Sequence, residues 1–246
     1  MIGKAIGRRR VNPCFRMKLS ASHKALLKTS LSIQALTVAN LLPLLGVVFL
    51  GWDAAAIVLL YWIENLIIGF SNILMMILVK VDSPGRQLQK LFMIPFFCIH
   101  FGGFCAVHGF FLLVFFKIGS DSEILGSGQP WLGPLVFLQL LFSVVKQLWQ
   151  SRPPGLEWPV LGLVVSHGLS FVKNFLFGQE YLTLKINDIM MRPYKRIVLM
   201  HVAIIAGGML IMMLGSPVAL LCVLIFLKIA MDIWLHAKSH RQVRVK

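Results

Sequence analysis

Apolar runs of about twenty residues, separated by short polar or Gly/Pro-rich stretches, set the pattern of this chain. The pattern predicts helical segments over residues 31–50, 54–80, 91–117, 131–150, 158–177, 195–214 and 218–236. Twenty apolar residues at about 1.5 Å each cross a hydrocarbon layer about 30 Å thick. The breaks have turn chemistry. Gly51-Trp52-Asp53 separates the first two runs, Asp82-Ser83-Pro84-Gly85-Arg86 lies in the next loop, and Arg152-Pro153-Pro154-Gly155 closes the fourth run. Residues 118–130 form a Gly/Ser/acidic loop, 179–194 read as a mixed interfacial stretch, and Ser216-Pro217 turns the chain into its last run. The expected fold is all-α, a polytopic integral membrane helical bundle. A β-barrel would show short alternating segments instead.

The fourth segment breaks the pattern. Gln139, Ser143, Lys146, Gln147 and Gln150 form one polar stripe at helical period, with apolar side chains on the rest. Such a helix lies in the interface or lines a cavity. Charge decides how to count it. With this segment not crossing and the amino terminus in the cytoplasm, 20 Lys and Arg lie inside. Only Lys117, Lys146 and Arg152 then lie outside. If all seven segments crossed, 13 would lie inside and 10 outside, so the positive-inside rule prefers the first arrangement. The expectation is six spanning helices plus one interfacial or re-entrant helix, both termini cytoplasmic, in the cell inner (plasma) membrane. Residues 1–30 are a basic arm, 31–237 the membrane domain and 238–246 a basic tail. The arm carries eight Lys or Arg and no acid. It resembles a signal peptide only superficially, because its basic region and apolar run are too long.

Composition sharpens this reading. The chain is 58% hydrophobic and 13% charged, with mean hydropathy +0.82. Soluble domains carry about 25% charged residues. The net charge of +15 resides mostly in tails and loops, which points to anionic headgroups and away from nucleic acid. Cys14, Cys98, Cys105 and Cys222 form no CxxC pair and read as small packing residues.

The candidate chemistry is polar side chains inside the apolar runs. Tyr61 to Asn72 reads YWIENLIIGFSN, which sets Glu64, Asn65 and Asn72 at membrane depth. Asn65 and Asn72 lie about 20° apart on a helix, with Glu64 about 80° from Asn72. An ionisable group there is costly and marks a functional site with a partner to be found. Counted from the segment ends, Glu64, His108, Ser166 and His167 share an outer level. Asn72, His100, Asn174, His201 and Asp232 share an inner one. Lys228, Asp232, His236 and His240 follow at i+4 steps, so Lys228 and Asp232 can neutralise each other.

Three readings follow. In the first, Glu64, His108 and His167 are N/O ligands from three helices suited to zinc, with Asn65 orienting. Bound water would then attack an ester or amide of a lipid or small amphiphile. His100, His201 and Asp232 form a second such set. In the alternative, Glu64, His100, His108 and Asp232 are protonatable stations of a proton-coupled transporter or channel-like protein. In the third, every polar group is helix–helix glue, beside Gly102, Gly103, Gly207 and Gly208. Ser166-His167 is no nucleophile–base pair, because neighbours on a helix point about 100° apart.

Five ordered motifs carry a resemblance: YWIENLIIGFSN, HFGGFCAVHG, SHGLSFVKNF, PYKRIVLMHVAIIAGG and KIAMDIWLHAKSH. Together they resemble a family of bacterial multi-pass membrane proteins that carry a domain of unknown function, over residues 54–240. The resemblance implies an integral membrane protein whose Glu, Asn, His and Asp positions belong to the family pattern. It implies no activity. The basic arm and the region of the fourth segment look particular to this chain.

Overall fold

The computed structural model describes residues 41–117, 129–216 and 218–244, with side chains described up to residue 231. It divides into two units. Residues Pro43–Lys228 form one and are described first. Of the other, Met1–Leu42 with Ile229–Lys246, the described part is Leu41, Leu42 and a helical backbone from Ile229 to Arg244. The basic arm of residues 1–30 lies outside the described residues.

The fold is all-α, and the described residues hold no strand. The helices are α1 Leu41–Leu50, α2 Ala54–Leu78, α3 Pro84–Phe116, α4 Val136–Gln150, α5 Glu157–Ser170, α6 Ile186–Met191, α7 Tyr194–Leu214 and α8 Val218–Arg244. A 3₁₀ turn, Gly133–Leu135, leads into α4, and α5 runs on as a π-helix over Phe171–Phe177.

Each start has a local cause. Gly51 takes φ +69°, and Asp53 then caps α2, its Oδ1 accepting from the Ala55 N–H at 2.8 Å. The loop expected over residues 81–90 is mostly helix: Ser83 Oγ accepts from the Arg86 N–H and Pro84 takes the first helical position. A proline there gives up only an N–H that has no helical partner. α3 is therefore 33 residues long and ends at Lys117 with φ 52°.

Among the described residues, four stretches are long and apolar enough to cross a membrane: Ala54–Leu78, Pro84–Phe116, Glu157–Phe177 and Ile186–Leu214. The expected six are not supplied by the described residues. The other two apolar stretches, Leu41–Leu50 and Val218–Met231, are shorter over their described residues. α4, with 15 residues, is too short as well.

Pairing fixes the helix directions. α2 runs antiparallel to α3: the Trp62 indole N–H donates to the Cys105 carbonyl at 2.9 Å, and Gly69 faces Phe101. α7 runs parallel to α3, since His100 meets Tyr194, His108 meets His201, and Gly208 faces Phe115. α5 runs parallel to α2. Leu59 and Leu156 line one small cavity, Glu64 meets His167, and the Lys80 N–H donates to the Tyr181 carbonyl. α4 also runs parallel to α3, with Phe137 on Gly103 and Val144 on Gly109. The chain thus leaves α3 at Phe116, regains it at Gly103 about 20 Å back, and returns beside it. α5 then runs opposite to both α3 and α4.

The core lies where α2, α3, α6 and α7 meet the end of the π-helix. Phe97, Met76, Phe175 and Ile189 are fully buried there, with Phe101, Ile186 and Ile197 against them. Glycines let α4 approach α3, because bare backbone at Gly102, Gly103 and Gly109 accepts Leu138, Phe137 and Val144.

Candidate functional site

Glu64 sits on the third turn of α2, facing inward, with its carboxylate 15% exposed. Arg196, from the first turn of α7, donates through Nη2 to Glu64 Oε2 at 2.5 Å. On the other side, His167 of α5 brings Nε2 to 3.4 Å from Oε1. One carboxylate therefore joins three helices. A guanidinium hydrogen bond to a carboxylate is charge-assisted, roughly twice as strong as a neutral one. Removing one partner of such a half-buried group leaves the other short of its hydrogen bonds.

A second site lies on the far side of α3. His108 Nε2 and His201 Nδ1 are 2.9 Å apart, with ring centres at 5.1 Å. His108 is buried and His201 exposed. Of the two facing nitrogens, one donates and the other accepts. Below it, His100 Nδ1 bonds the Tyr194 hydroxyl at 2.9 Å. Phe104 packs edge-on against both His100 and His201.

The remaining expected residues sit apart. Asn65 is buried, and its amide donates to the Tyr61 carbonyl of its own helix at 2.9 Å, so it does not reach towards His108 or His167. Asn72 is also buried, its amide 4.0 Å from the Met76 sulfur. Asn174 is exposed and donates to Ser170 Oγ. Lys228 lays its ammonium 4.5 Å from the Tyr61 ring centre, one turn from Glu64. The side chains of Asp232 and His236 lie outside the described residues, and the expected Lys228–Asp232 pair lies there with them.

The level-by-level grouping is redrawn. Glu64 and His167 come together as expected. His108 leaves them for His201, which was expected one level further in. No group of three or more His, Cys, Asp or Glu able to hold a metal occurs among the described residues. Glu64 and His167 offer two donors, and Arg196 holds the second carboxylate oxygen where a cation would go. In the second set, His100 is bonded to Tyr194 and His201 to His108.

Arg196 is the residue that sequence reasoning missed. It stands in the run Lys195-Arg196 at a helix start and was counted as a charge outside the layer. The signal was available: Glu64 required a cationic partner, and Arg196 lies within the predicted segment 195–214.

The model of a family described as a family of unknown function (DUF6498) matches residues 22–246. The match takes in the fourth segment and part of the basic arm, both of which had looked particular to this chain. No curated protein and no solved structure matches the chain.

Proposed function

The chain belongs to that family of unknown function, and from its site we propose a multi-pass integral membrane protein that couples protons to the movement of a small amphiphile. Four apolar helices of spanning length support the membrane reading. The parallel pairs α2/α5 and α3/α7 fit a re-entrant α4, which leaves both termini on the cytoplasmic side, in a plasma membrane. Anionic headgroups then face the basic loops and tails.

One observation carries the functional reading: Glu64 is shared between Arg196 and His167 from two other helices. A carboxylate held between a permanent cation and a titratable imidazole has two arrangements of one proton. His108 and His201 offer a second such station on the other face of α3. Ionisable residues at membrane depth that pair with one another characterise proton relays. The zinc-hydrolase reading has less support, since Arg196 occupies the second oxygen of its carboxylate ligand and His108 is drawn off to His201.

The test is flux. Purified protein in liposomes should move protons under an imposed pH gradient, and Glu64→Gln should abolish that movement while helix content and thermal midpoint stay measurable. Flux unchanged in Glu64→Gln would remove the proposal.

A further inference from the structure

The chain enters α4 through a turn at residues 129–135. Phe137, just past this turn, packs on Gly103, and Leu138 packs on Gly102. Gly103 stands 13 residues from the end of α3 at Phe116, about 20 Å at helical rise. Pro134 of the turn shares a groove with His100 and Gly103. The turn therefore lies near the middle of a hydrocarbon layer about 30 Å thick. Its backbone is irregular: Leu132 is extended with ψ 132°, Gly133 takes φ +58°, and a single 3₁₀ turn follows.

One half of the turn is answered by protein. Gln139 is buried, its Oε1 accepts from the Trp131 N–H at 2.7 Å, and its amide donates to the Gln129 carbonyl at 3.2 Å. Pro130 and Pro134 have no N–H to answer. The other half is open. Among the described residues, the N–H groups of Leu132 and Gly133 have no partner, and Leu132 is 89% exposed. His100 and His201 are exposed on the groove that Pro134 lines. Each uses its Nδ1, on Tyr194 and His108 respectively, and neither Nε2 has a partner among the described residues. Two backbone donors and two imidazole nitrogens, from the turn, α3 and α7, thus open beside one groove. Irregular backbone at this depth persists only where protein buries it or water reaches it. Protein does not bury it here, and acyl chains would leave all four groups unanswered.

We propose that water penetrates to the middle of the layer at this turn and reaches His100 and His201. The recess rests on the membrane reading proposed above, and it supplies the second station of that reading with protons. A hydronium ion gives its proton to His201 Nε2, and the imidazolium passes its Nδ1 proton to Nε2 of His108. One proton enters and one leaves, so His201 ends neutral.

The test is thiol accessibility of the full chain in lipid nanodiscs, where both faces of the bilayer meet solvent. Cys14, Cys98, Cys105 and Cys222 are replaced by alanine, and single cysteines are introduced as Leu132→Cys, Trp131→Cys and Phe70→Cys. Phe70 is 64% exposed on α2, next to the Gly69 that faces Phe101, and so lies at comparable depth away from the turn. A charged methanethiosulfonate should modify Leu132→Cys and Trp131→Cys at least about tenfold faster than Phe70→Cys, because the thiolate is the nucleophile and forms only in water. Hydrogen exchange of the unaltered chain gives a second reading, in which the Leu132 and Gly133 amides should exchange at once. Slow modification at Leu132, or slow exchange of its amide, would overturn the inference. A Leu132→Cys disulfide between two copies would assign the turn to a second copy and overturn it too. Fast modification at Phe70 would remove the membrane reading and the recess with it. Fast modification at Leu132 alone, with no proton flux in liposomes, would leave the recess standing and remove the transport reading. Flux with slow modification would do the reverse.

Discussion

At the scale of single residues, the Glu64 carboxylate ties its own helix α2 to α5 and α7 through polar contacts. Glu64→Gln and Arg196→Gln should each lower stability by about 1.5–3 kcal/mol, the range for a hydrogen bond to a charged group. Because they share one interaction, the double variant should lose clearly less than the two losses added. Thermal denaturation in detergent of all four proteins reads this directly, and strict additivity would mean that the pair contributes nothing. The sequence carried half of this site. Glu64 and His167 lie at matching distances from their segment ends, and they meet. The His108–His201 pair was not legible because depth was counted from helix ends taken as level. Gly208 faces Phe115, one residue from the end of α3, yet α7 continues to Leu214. That overshoot of about 9 Å brings His201 up to His108.

At the scale of helices, the apolar runs and their punctuation were readable, and their ends less so. Ser83-Pro84 was read as loop although the pair is a helix start. Ser83→Ala should therefore cost about 1 kcal/mol as a lost cap. The π-helical stretch after His167 has no signature in residue pattern, because i→i+5 bonding reflects packing around Phe175 and not periodicity. Glycines divide sharply by what surrounds them. A Cβ on Gly109 would stand 2.5 Å from Val144 Cγ1 and 2.6 Å from Trp62 Cζ2, so Gly109→Ala should destabilise by about 1–3 kcal/mol through overpacking. Gly162 has nothing within 4 Å, and Gly162→Ala should be neutral or gain up to about 1 kcal/mol of helix propensity. Melting curves of both variants check the contrast, and equal effects would contradict the described packing.

At the scale of the whole molecule, the question is on which side each end of a helix emerges. The polar stripe and the charge count suggested that the fourth segment does not cross. The parallel packing of α2 with α5 and of α3 with α7 fits that proposal. Single cysteines at Lys117 and Arg152 should react with an impermeant maleimide from one side of the membrane, and cysteines at Asp82 and Thr183 from the other. Opposite reactivity at Lys117 and Arg152 would restore a crossing by α4. The return of the chain along α3 also bears on how the protein is made. α4 is too short to settle in the bilayer by itself, and its seat is the glycine face of a helix synthesised earlier. α4 therefore finds its seat only once α3 is in place. Bulky substitutions at Gly102 and Gly103 should then show up as nascent chains in which everything after α4 is threaded backwards, a defect of birth that no measurement on the surviving folded protein would reveal.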